Sequence, residues 1–202
     1  MKFVISEMDK AIVSITNKGK RKDIYIPSVF PSGETVHTLN ANAFKGEFGK
    51  VTISDGISRI CSCAFSEAKV EEVIWSSSCK EIPYHCFIMS RIQKISNIEN
   101  VTVIEQGAFA HSSIRSFDWP ADCCVVPPNC FFCCSLLKHI SGLNNVSEIK
   151  QHAFSGIGNI SGVDAIDLSM ARILFIGQEA FHGISPEKVI LPYYFNDEKS
   201  IF

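Results

Sequence analysis

Phenylalanine returns at a near-constant interval along this chain, and that interval leaves few folds open. The series is Phe44, Phe65, Phe87, Phe109, Phe131, Phe154 and Phe181, in steps of 21, 22, 22, 22, 23 and 27 residues. A small residue precedes each one: Ala43, Ala64, Cys86, Ala108, Cys130, Ala153 and Ala180. Five positions before each stands an aliphatic residue: Leu39, Ile60, Ile82, Ile104, Val126, Ile149 and Ile176. A fourth feature follows most of these phenylalanines, as in Val73-Ile74-Trp75, Phe117-Asp118-Trp119-Pro120 and Val189-Ile190-Leu191-Pro192. Ile24-Tyr25-Ile26-Pro27 and Val51-Thr52-Ile53 fit the same slot. Short alternating runs of β-branched and aromatic residues read as brief strands. A unit of this size has too little apolar surface to fold alone, so copies must stack and share one core. At the strand spacing of ~4.8 Å the phenylalanines become a ladder of rings. Trp75 and Trp119 fall on the inward register.

The string aliphatic-x-x-x-Ala-Phe, followed by an aliphatic strand often closed by proline, resembles the BspA-type leucine-rich repeat. The best matches are Val103-Ile104-Glu105-Gln106-Gly107-Ala108-Phe109 and Phe175-Ile176-Gly177-Gln178-Glu179-Ala180-Phe181. Cys134, three residues after Phe131, matches that family's cysteine. The resemblance covers residues 24–195. It implies an α/β repeat, a leucine-rich-repeat solenoid of about seven repeats of 21–27 residues. Short parallel strands would line the concave face, with tight turns or short helical turns opposite. Such proteins are surface or adhesion proteins of bacteria and mucosal protozoa, so the resemblance implies a host or cell-surface protein as partner. Most repeats here are one residue shorter than the family unit, the asparagine ladder of ordinary leucine-rich repeats is missing, and Ser161–Arg172 holds extra residues expected to bulge.

Both ends depart from the pattern. Residues 1–22 contain Phe3-Val4-Ile5 and Ala11-Ile12-Val13-Ser14-Ile15, which predict a hairpin. An array needs a cap over its first repeat, so this segment is assigned as one, with the solenoid over 23–195 and a tail over 196–202. Lys18, Lys20, Arg21 and Lys22 read as a solvated turn, because Asn17 and Gly19 are turn formers. No polar capping repeat follows Pro192-Tyr193-Tyr194-Phe195. Either the tail folds over the last repeat, or this end pairs with another copy as a homo-oligomer or self-assembling scaffold.

The formal net charge of -2 gives no basic excess for a nucleic acid, so none is expected as partner. No run approaches the ~20 apolar residues of a membrane helix. Met1-Lys2-Phe3-Val4-Ile5 runs straight into Ser6 and Glu7, with no apolar leader. That absence, with nine cysteines not arranged to pair, points to a reducing, cytoplasmic setting, whereas the resemblance points to the cell surface.

Cys123, Cys124, Cys130, Cys133 and Cys134 crowd one repeat, and Cys130-x-x-Cys133 has the spacing of zinc and redox sites. No second pair lies at a zinc-like distance, so these thiols read as small apolar core residues. Cys86 and Cys130 share a column two repeats apart, roughly 10 Å, beyond the ~7 Å a disulfide spans. Cys63 and Cys86 are the one pair in adjacent repeats and nearly matching columns, and contact between them is left open. The six histidines read as surface residues. His85 and His152 share a column three repeats apart, too far to hold one metal. No catalytic triad, phosphate loop or carboxylate pair is recognisable, and no catalytic residue, metal or cofactor is expected.

A strand that buries alternate residues presents the others outward. Those positions are Tyr25, Thr52, Glu72, Ile74, Lys94, Ser96, Ser116, Asp118, Asp167, Lys188 and Ile190. They mix both charges with exposed apolar groups, which suits a protein partner.

Overall fold

The computed structural model describes residues 1–157, 164–195 and 200–202. The chain opens with an antiparallel hairpin, β1 (Lys2–Ser6) and β2 (Ala11–Thr16). It then winds on, alternating between two rows of strands. The longer row holds β3 (Lys22–Ile26), β6 (Glu47–Ile53), β8 (Lys69–Ile74), β10 (Lys94–Ser96), β12 (Ser116–Asp118), β14 (His139–Ser141), β16 (Ile166–Asp167) and β18 (Val189–Ile190). All neighbours paired within this row are parallel. Backbone bonds join its segments, from Arg115 N–H to Gln93 O at 3.0 Å and from Asp164 N–H to Lys138 O at 2.8 Å.

The second row consists of two-residue strands: β4 (Thr38–Leu39), β7 (Arg59–Ile60), β9 (Glu81–Ile82), β11 (Val103–Ile104), β13 (Val125–Val126), β15 (Glu148–Ile149) and β17 (Phe175–Ile176). Each ends on one of the aliphatic residues five before a phenylalanine, and each of those side chains is buried. Strand β2 pairs in parallel with β4 and with β5 (Phe44–Lys45), so the hairpin continues this row backward.

The phenylalanines stack as the period requires. Successive centroids from Phe44 to Phe181 lie 4.3, 4.8, 5.3, 5.3, 5.6 and 5.6 Å apart, with planes within 24°. Trp75 and Trp119 are buried beside them, and each indole N–H donates to a carbonyl four residues on, Cys79 at 3.2 Å and Cys123 at 2.7 Å. Those bonds satisfy the one polar atom each indole takes into the core.

Of the two forms expected opposite the strands, tight turns are the one that occurs among the described residues. Among the described residues there is no α-helix, only the 3-10 turns Leu143–Asn145 and Pro186–Lys188. The reason lies in the backbone on either side of each phenylalanine. The residue two before it (Asn42, Cys63, His85, Gly107, Asn129, His152, Glu179) is left-handed in all seven turns. So is the residue two after it (Gly46, Glu67, Met89, His111, Cys133, Gly156, Gly183). Right-handed helix cannot propagate through such residues. Instead alternate amides point along the stack. Cys63, Phe65 and Glu67 donate to the carbonyls of Tyr84, Cys86 and Ile88 at 3.0, 2.9 and 2.9 Å, and the triplet recurs turn after turn. The residues between close local turns, as Ala64 N–H does on Cys61 O at 3.1 Å. Backbone thus does the stitching that an asparagine ladder would otherwise do.

At the far end the tail folds over the last repeat. Phe202 lies 21 residues beyond Phe181, one full period, and its ring centroid is 5.9 Å from that of Phe181. Phe181 N–H donates to Ile201 O at 2.7 Å, and Ile201 is buried. The eighth strand of the long row therefore has an eighth ring beneath it. The bulge expected in 161–172 lies partly outside the described residues, as does most of the tail from 196.

Candidate binding face

The outward residues of the long row form two lines. Register places Tyr25, Thr52, Ile74 and Ser96 side by side, then Asp118 beside Ser141, and Asp167 beside Ile190. The second line sets Lys50, Glu72 and Lys94 side by side, with Ser116 beside His139. Ten of the eleven residues singled out from the sequence stand on this surface. Lys188 does not: it closes the 3-10 turn Pro186–Lys188 just ahead of β18, where Pro186 lacks the amide a strand ladder needs. Lys50, His139 and Ser141 complete the lines and were missed, although each sits one period from a recognised neighbour, as Lys50 does 22 residues before Glu72.

The surface is polar with apolar islands. Tyr25 is 59 % exposed and Ile190 44 %, while Ile74 is half-buried between Thr52 and Ser96. Ser141 Oγ donates to Asp118. The Ser169 hydroxyl and backbone amide hold the Asp167 carboxyl below the usual carboxylate range. His139 lies 3.2 Å from Asp164, a pair too exposed to contribute more than about 1 kcal/mol.

A groove runs along the edge of this face, where the strands give way to turns. One part, a cavity of about 430 Å³, is lined by residues 94–99 and 118–121. A second, of about 410 Å³, lies against Tyr25, Thr52, Ile74, Trp75 and Asp55. Ser96, Asn97 and Glu99 belong to both. Asp55, Asn97 and Glu99 were not picked out from the sequence. Their only signal is position, one to three residues beyond the last outward strand residue.

The cysteines are all free thiols. Cys79, Cys86, Cys123, Cys130 and Cys134 are buried. Burial pushes the Cys123 and Cys134 thiols up to about 12, and those of Cys86 and Cys130 well above their ordinary value. A thiol held neutral this way is no nucleophile. Among the described residues no three His, Cys, Asp or Glu side chains gather where a metal could bind. A thiol titration of the native chain is expected to modify Cys124 fast, Cys61, Cys63 and Cys133 more slowly, and the five buried thiols only after unfolding. Rapid reaction of all nine would contradict this packing. Four histidines are exposed, while His85 and His152 are half-buried.

No helix among the described residues is long and apolar enough to cross a membrane. A comparison with curated proteins finds no match. Among solved structures, the chain is similar to a leucine rich cell surface protein from Faecalibacterium prausnitzii (22% identity, TM-score 0.66), covering 89% of this chain and 49% of that one. It is similar to a leucine-rich repeat protein from Bacteroides ovatus (16% identity, TM-score 0.67), covering 93% and 58%. A leucine rich repeat protein of T. pallidum gives 19% identity and TM-score 0.66, covering 89% and 84%. The chain thus spans about half the length of the first two, and at these identities the likeness is one of fold. The family model for the BspA type leucine rich repeat region matches in overlapping stretches, residues 22–137, 89–184 and 126–199. With ring column, strand rows and family model in agreement over nearly all its length, the chain belongs to the BspA-type leucine-rich repeat family.

Proposed function

We propose that the chain is a protein-interaction scaffold that engages its partner through the outward face of the long strand row. The observation that carries this reading is the register. It sets Tyr25, Thr52, Ile74 and Ser96 in one line and Lys50, Glu72 and Lys94 in the next, a rigid two-line surface of mixed charge. Rigid strands hold these side chains in place before the partner arrives, which lowers the entropy lost on binding. Apolar and aromatic groups ringed by polar ones are the usual composition of such a patch. The neighbour described as a cell surface protein supports a partner met at the cell surface, in the manner of an adhesin. The doubly substituted chain Ile74→Glu/Asp118→Asn is expected to recover its partner from the native cell at least about tenfold less well than the unaltered chain, as loss of a central contact does. Equal recovery by both chains would overturn the assignment of this face.

A further inference from the structure

The groove at the edge of the strand face carries a charge pattern of its own. Its lining residues include three carboxylates, Asp55, Glu99 and Asp118, and one ammonium, Lys94, a balance of -2. The lining is thus acidic on a chain whose charges otherwise balance, with a formal total of -2. Between the carboxylates lies the half-buried side chain of Ile74, over the buried Trp75 and Trp119. Ser54 also lines the groove, is only 8 % exposed, and its hydroxyl has no hydrogen-bond partner.

We propose that this groove receives an extended peptide segment carrying Lys or Arg side chains. The inference rests on the reading of the strand face as the partner surface and gives that partner its chemistry. Asp55 follows β6, and Asp118 ends β12, three strand steps away. Three steps at ~4.8 Å give about 14 Å, the rise of about four to five extended residues. One short segment therefore reaches all three carboxylates while its apolar side chains lie over Ile74. The Ser77 hydroxyl and backbone amide keep the Asp55 carboxyl below the usual carboxylate range, so it stays ionised for the partner. An acidic segment or a polyanion would meet repulsion along the same path.

The test uses the full chain and a fluorescein-labelled hexapeptide of alternating Lys and Leu, with alternating Glu and Leu as its counterpart. Fluorescence anisotropy is expected to show binding of the first and not the second. The variant Asp55→Asn/Glu99→Gln keeps side-chain shape and the acceptor for Ser77 N–H, and lies outside the two outward lines of the strand face. It should bind the cationic peptide about fivefold more weakly, the effect of removing two exposed ion pairs. Salt should weaken binding to the unaltered chain more steeply than to the variant. Equal affinity for the acidic peptide, unchanged affinity in the variant, or a dimer of this chain that only the variant dissolves would each overturn the inference. Should the cationic peptide fail to bind while Ile74→Glu/Asp118→Asn still abolishes partner recovery, this inference falls and the strand-face reading stands.

Discussion

Phe109→Ala should lower the stability of the chain by about 3–5 kcal/mol, the range for truncating a buried aromatic. Phe109 has no solvent exposure, and its ring meets Phe87 and Phe131 at 5.3 Å and Phe117 at 4.9 Å. Three aromatic contacts vanish together, and the backbone on both sides is held by inter-turn bonds that oppose collapse into the gap. Domains of this size have only about 5–15 kcal/mol in hand. The site also sits at the middle of an array whose turns touch only their neighbours, so the halves should lose their coupling. Urea unfolding followed by circular dichroism should show an earlier and broader transition, with a smaller slope. Phe202→Ala, at the end of the ring column with its centroid 5.9 Å from Phe181, serves as the control and should cost less than half as much. A centre and an end that respond equally would refute the picture of additive, neighbour-coupled turns.

Gly46→Ala should destabilise the chain by about 3 kcal/mol or more, although it adds one methyl group. Two causes act together. The glycine has φ of 117°, a region that side chains disfavour. A β-carbon there would also lie 2.1 Å from the backbone oxygen of Asn17, and no rotamer can move a backbone oxygen aside. Asn17 cannot retreat without loss, since its amide donates to Lys45 O at 2.9 Å and its side chain to Glu47 O at 2.8 Å and Lys20 O at 3.1 Å. Those bonds join the opening hairpin to the first turn. Thermal unfolding should show the loss, and hydrogen exchange should locate it at residues 11–17. A variant as stable as the parent would mean that this junction is looser than its geometry states.

What could be read from the sequence was whatever packing demands. The ring column, the aliphatic column and the inward Trp75 and Trp119 were legible because a shared core selects side chains by size and polarity at a fixed interval. The outward lines followed from strand alternation, apart from Lys188, where a proline two residues earlier turns the backbone. The second strand row was not legible, because two residues are too few to show alternation. The left-handed positions were equally hidden. Asn42, Gly107 and Asn129 carry a turn signal, but Cys63, Glu67, Met89 and Glu179 do not, and neighbouring turns impose the conformation on them through hydrogen bonds. Phe202 was on period and overlooked, since Ile201 stands where a small residue precedes every other ring and Asp197 where an aliphatic residue would. The groove escaped notice because Asp55, Glu99 and Asp118 come together only once the turns are stacked.

The left-handed pair around each ring has a consequence for how such a chain can diverge. Because peptide groups tie one coil to the next, the side chains at those positions are released from structural duty, provided they are unbranched at the β-carbon and no backbone crowds them as Asn17 crowds Gly46. Glu67, Met89, His111 and Cys133 already show an acid, a thioether, an imidazole and a thiol at one equivalent place. That flank is a rewritable margin, on which new chemistry can be inscribed without disturbing the spine of the molecule.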